Sequence, residues 1–193
     1  ALAGCAGFES AGSGPAAEAP AYRVGDRWTY RVQDGFRSPE RWEETHSITA
    51  IGAEGISAGI TQKGPSRDVT RAELWSAPGL VKIGAVFDNE TRRFVTPLER
   101  YRFPLAAGQS WSQFVDNFNE TTKATGQINR YVRVRGWEKV TTPAGTFDAL
   151  AMSVQTASDP CHLDIASRHS GAVCTTLSQS LVKCSERPEV LLR

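Results

Sequence analysis

Gly55-Ile56-Ser57-Ala58-Gly59 matches G-x-S-x-G, the turn on which many hydrolases raise a nucleophilic serine. That chemistry needs a strand, a sharp turn and a helix, with an Asp and a His supplied later in the chain. Here Ile56, Ala58 and Ile60 alternate straight through the match, and Gly64-Pro65 blocks a following helix. The stretch therefore reads as strand. An exported serine hydrolase using Ser57, with His162 or His169 as its nominal base, is the secondary reading. Cys161, His162, His169, Cys174 and Cys184 are metal-ligand types, but no Cys-x-x-Cys pair lets a short turn present two thiolates to zinc. In an oxidising compartment two of those cysteines would sooner form a disulfide, whose pairing the sequence leaves open. No catalytic constellation is complete, so the chain reads as a non-enzyme with neither metal nor cofactor.

Two further groups suggest binding rather than reaction. Trp28, Tyr30, Trp111, Phe114 and Trp137 can line a hydrophobic concavity, although burial in ordinary β core would satisfy them equally. Arg130, Arg133 and Arg135, with Tyr131 among them, form a small basic strip; Arg92-Arg93 and Arg100 with Arg102 add others. A solvated strand face accounts for such a strip, and contact with anionic lipid head groups or cell-wall polymer is the sharper reading. His46, between Thr45 and Ser47, reads as a strand-surface residue. Asn89 and Asn119 begin three-residue N-glycosylation patterns, matches too short to carry weight on their own.

The elements that must position these groups are strands. Trp28, Tyr30 and Val32 share one face of "DRWTYRV"; Val132 and Val134 share one face of "YVRVR"; Leu150, Met152 and Val154 share one face of "LAMSV". Between such runs stand Gly52, Gly64-Pro65, Pro78-Gly79, Pro104, Gly108 and Gly136 as turn signals. "TTPAGTF" suits a tight hairpin, with Pro143 presetting its φ and Gly145 free to take the left-handed position. "GDRWTYRV" and "GQSWSQFV" repeat Gly, Trp and Val at a constant offset, which suggests two similar meander halves. The expectation is an all-β fold, a curved antiparallel sheet or half-barrel. With 193 residues, 40% of them hydrophobic, one domain can bury a core. A net charge of +1 gives no global field for nucleic acid. No run of about 18 apolar residues encodes a transmembrane helix.

The first residues bear on location. Leu2-Ala3-Gly4-Cys5 resembles the bacterial lipobox, the site where lipoprotein precursors are cleaved and lipidated. The resemblance implies that residues 1–5 are the end of a signal peptide, with the numbering starting inside a precursor. Cys5 then becomes the acylated N-terminus. Ala6 in place of Asp favours the outer membrane, facing the periplasm. Several acyl chains, at about 0.8 kcal/mol per buried methylene, would hold the protein essentially permanently. Residues 6–21 are mostly Ala, Gly, Ser, Pro and Glu, and read as a flexible tether with a reach of about 20 Å.

"FPLAAGQSW", "VTTPAGTFDAL" and "LWSAPGLVKI" together resemble a class of β-rich bacterial envelope proteins, many of them lipoproteins. Those motifs are strand-and-turn signatures and imply fold more than activity. A looser, purely architectural similarity is to half-barrel lipoprotein carriers of the LolA/LolB type, which implies an apolar or lipid-like ligand. The β-rich domain is expected over residues 22–157. Residues 158–193 form an atypical tail without a single aromatic. Either the reading frame shifts there, since a CTG codon at Leu163 read one base later gives Trp, or the tail is divergent. The sequence thus predicts a lipid-anchored binding or structural module, or an interaction subunit of a larger envelope assembly.

Overall fold

The computed structural model describes residues 14–33, 41–87, 90–142, 145–159 and 178–185. Ten strands follow one another in these stretches: β1 (Arg27–Gln33), β2 (Arg41–Gly52), β3 (Gly55–Gly64), β4 (Arg67–Ala77), β5 (Leu80–Gly84), β6 (Arg92–Glu99), β7 (Ser110–Asn119), β8 (Ala124–Thr142), β9 (Gly145–Asp159) and β10 (Ser178–Ser185). Each pairs antiparallel with the next, so the chain makes a single meander in sequence order. The sheet is curved and does not close, leaving β1 at an edge. This is the all-β architecture that period-2 patterning predicts. No helix among the described residues is long and apolar enough to cross a membrane.

Glycine sets the tightest turns. Gly55 pairs with Gly52 to close β2 onto β3 and takes φ +125°; a Cβ there would meet the Trp75 carbonyl oxygen at 2.0 Å. A side chain at that position cannot coexist with β4 in its observed place.

Curvature is evident from which strands share a core. Ile48 of β2, Trp75 of β4, Leu98 of β6 and Ile128 of β8 belong to one buried cluster. Six spacings of about 4.8 Å would separate β2 from β8 in a flat sheet, so the inner face must roll onto itself. A second cluster gathers Leu105, Trp111, Val132, Val134, Leu150, Met152 and Val154 from β7, β8, β9 and the loop before them.

The repeated Gly-x-x-Trp motif has a structural counterpart. Gly25, at φ +95°, donates its backbone N–H to the Ile48 carbonyl at 2.9 Å, and Gly108, at φ +84°, donates to the Val134 carbonyl at 2.9 Å. Each acceptor sits just before an irregularity in its strand's pairing, at Ile48/Ala50 and at Val134/Gly136. Hairpins β1–β2 and β7–β8 therefore begin alike.

Part of the segment expected to be tether is packed. Ala17 and Leu105 exchange backbone hydrogen bonds of 2.7 and 2.8 Å, and Ala17 is buried in the second cluster. Trp137 donates its indole N–H to the Pro15 carbonyl at 3.0 Å. Small residues fit this narrow seat because they let the backbone approach closely, so residues 14–17 belong with the folded domain.

Candidate functional site

The five aromatic residues expected to line a concavity are not brought together. Trp28 lies half-buried on the inner face of β1, stacked on Tyr22 at 5.8 Å and on His46 at 5.6 Å between ring centres. Tyr30, on the same face, meets His46 edge-on at 5.6 Å. Trp111 and Trp137 belong to the second cluster, where Trp111 is buried and directs its indole N–H toward the Glu99 carbonyl at 3.4 Å. Phe114 is on the opposite, outer face of the sheet, three residues and hence an odd number of pleats from Trp111. Buried side chains of the two clusters occupy the inner face between these positions.

The basic strip also divides. Tyr131, Arg133 and Arg135 face outward, but Arg130 points inward and donates to the Thr156 hydroxyl at 3.2 Å. Arg92 and Arg100 are likewise internal. Arg92 binds both oxygens of Glu90 at 2.6 and 2.8 Å and donates to Asn117 at 2.9 Å. Ser57 is the third residue of β3 and faces outward, and its carbonyl accepts from Thr49 Oγ1 at 3.1 Å. A nucleophile elbow requires a helix directly after the serine, and β3 continues to Gly64 instead.

Among the described residues no group of three metal-ligating side chains occurs. Cys5, Asn89, Cys161, His162, His169 and Cys174 lie outside the described residues, and Cys184 is placed by its backbone alone in β10.

Sequence reading missed a polar chain crossing the inner face of β2, β3 and β4. Registers Glu44↔Gln62 and His46↔Ile60 put these side chains in adjacent rows. His46 Nε2 lies 2.7 Å from Glu44 Oε1, and Gln62 donates Nε2–H to Glu44 Oε2 at 2.5 Å. Arg67 donates to Gln62 Oε1 at 3.1 Å and rests over the Trp42 ring at 4.1 Å. Burial opposes the Glu44 charge. Hydrogen bonds with His46 and Gln62, and the fields of His46 and Arg71, outweigh it and hold the carboxyl at about 2. One row further in, buried Glu73 binds Arg100 through both oxygens at 2.9 and 3.0 Å and accepts the Trp75 indole N–H at 2.8 Å. Burial opposes its charge too, and the Arg100 cation, these bonds and the field of Arg71 lower its pKa nonetheless.

The outer face of β6–β8 shows the opposite character. Val95, Phe114, Phe118 and Tyr131 are 78%, 65%, 38% and 44% exposed, and all lie on this face. The β6–β7 ladder runs for three pairs only, from Arg92↔Asn119 to Phe94↔Asn117. Beyond it Gln113 bridges the strands with its side chain, donating to the Pro97 carbonyl at 2.9 Å and accepting the Glu99 N–H at 2.8 Å. Where the ladder ends, an open cleft of about 250 Å³ is lined by Phe94, Val95, Phe118 and Gly126, with Arg93, Asp116, Asn117 and Thr125 completing its wall.

No family model, no curated protein and no solved structure matches the chain.

Proposed function

We propose that this chain is a bacterial envelope protein, lipid-anchored at Cys5 in the outer membrane and facing the periplasm, which acts as a binding module for an acyl chain. The observation that carries the binding reading is the cleft on the outer face of β6–β8, lined by Phe94, Val95 and Phe118, with exposed Phe114 elsewhere on the same face of β7. The cleft's volume, about 250 Å³, falls below the range of pockets that enclose a whole drug-sized ligand, roughly 300–1,000 Å³. It suits a segment of hydrocarbon chain. Exposed aromatic rings grouped on one sheet face lose contact with water when such a chain lies across them, at about 25 cal/mol per Å². The lipobox-like tetrapeptide supports the anchor, and the anchor would supply the occupant by holding the domain beside a bilayer.

Uptake of a fluorescent fatty acid by the delipidated domain tests the reading. Val95→Asp is expected to weaken uptake about tenfold or more while folding stability changes by about 0.5 kcal/mol or less, because Val95 is 78% exposed. Phe118→Asp should weaken uptake as well, at a stability cost of about 1–2 kcal/mol because most of its ring is covered. Trp28→Ala, on the inner face, should leave uptake unchanged. Absence of both uptake and co-purifying lipid by mass spectrometry would overturn the binding assignment. The anchor is checked separately by intact mass of membrane-extracted protein, where Cys5 is expected to carry diacylglyceryl.

A further inference from the structure

Among the described residues, two cations on the inner face have buried nitrogens without an acceptor: Arg130 at Nε alone, with its Nη1 donating to Thr156, and Arg71 at both Nε and Nη1. Arg92 gives its hydrogens to Glu90 and Asn117, Arg100 to both oxygens of Glu73, and Arg67 to Gln62. Arg71 sits opposite Ile60 in the β3–β4 register, and its Nε and Nη1 are closed off from solvent with no hydrogen-bond acceptor. Two carboxylates exert their fields on it, but both are engaged elsewhere. Glu44 is taken by His46 and Gln62, and Glu73 by Arg100 and Trp75. They attract the guanidinium without bonding it, so its side chain is not tied in one place. Two donor nitrogens of a charged group closed off from water without an acceptor destabilise the unliganded chain, and an incoming acceptor would relieve that cost.

We propose that Arg71 is the recognition group of an oxyanion site on the inner face of β2–β4, for a ligand bearing a carboxylate or a phosphate monoester. A planar guanidinium matches either group with paired, charge-assisted hydrogen bonds. Registers Trp28↔His46, His46↔Ile60 and Ile60↔Arg71 set one row from the edge strand to Arg71. Three strand spacings make that row about 14 Å long. Trp28 at its outer end, with Tyr30 in the neighbouring row, gives the body of the ligand an aromatic wall on the side where no strand of the described residues pairs with β1. Because Nε and Nη1 are shielded in the free chain, binding turns the Arg71 side chain toward the ligand. The site lies on the face opposite the acyl cleft and does not rest on that reading.

The experiment is a thermal-shift titration of the full chain with inorganic phosphate and with acetate, each against sodium chloride at matched ionic strength. One of the two anions is expected to raise Tm beyond chloride, and which one does so separates a phosphoryl from a carboxyl ligand. Arg71→Met should weaken that response about tenfold or more, yet leave the unliganded protein at least as stable as the parent. Arg71→Lys, which keeps the charge but loses the fork, should fall between. No anion-specific shift in the parent would overturn the proposal. So would an Arg71→Met variant that is less stable but responds normally. Should Arg71→Met fail to fold, the Arg71 Nε–H resonance of the parent decides. Its displacement by the anion sustains the site, and its constancy ends it.

Discussion

Hairpins β1–β2 and β7–β8 start from the same motif and reach opposite ends. In each, a left-handed glycine ties the incoming chain to its partner strand, and a tryptophan stands three residues later on the inner face. Trp28 faces His46, whereas Trp111 faces Val132. Position in the sheet sets their different fates. Strands β7 and β8 are flanked by β6 and β9, so Trp111, Val132 and Val134 are sealed into core. Among the described residues β1 has no neighbour on its other side, so Trp28 stays half-buried and β2 beside it tolerates His46 and Glu44 on the inner face. Shared local chemistry therefore makes a wall in one hairpin and an open polar surface in the other. Such a motif specifies a strand start, not a site.

Truncating the paired tryptophans tests this contrast most severely. Trp111→Ala is expected to cost about 3–5 kcal/mol, the range for emptying a large core side chain, and Trp28→Ala about half of that or less. Urea denaturation reads both, and equal losses would erase the distinction between core and open hairpin. A smaller but more pointed change exchanges the partners. Val132→His places an imidazole with no acceptor at a fully buried position and should cost about 2–4 kcal/mol, while His46→Val should cost about 1 kcal/mol through the lost Glu44 contact.

The mildest probe is pH. Glu44 is held at about 2 in the folded chain, against 4.5 ordinarily. Its folded pKa is depressed, so its contribution is complete above the ordinary value and drains away as pH falls from there toward 2. Glu44→Gln should flatten that acid limb by about 1–3 kcal/mol, followed by chemical denaturation at stepped pH. An unchanged slope would show that His46 and Gln62 do not favour the carboxylate.

Alternation and turn residues make the sheet legible in the sequence, because strand faces repeat every two residues and glycine marks where the chain must reverse. The same periodicity also encodes the polar chain. Trp42, His46 and Ile48 share a phase, and Gln62 continues the phase of Ile56, Ala58 and Ile60, so these polar residues stand on an inward register. His46 reads as surface because its neighbours Thr45 and Ser47 are polar, a local cue that the phase overrides. Phe114 could never share a face with Trp111 in one straight strand. Other features have no local signature. The early end of the β6–β7 ladder depends on how the sheet curves, and the seating of Ala17 depends on a backbone, at Leu105, far along the chain.

That last contact governs how the molecule bears load. Tension applied ahead of residue 14 reaches the two Ala17–Leu105 bonds and the Trp137 indole before it reaches β1. The seat then works as a mechanical fuse. Its few bonds yield first and release slack, and only afterwards does a pull begin to peel the edge strand from β2.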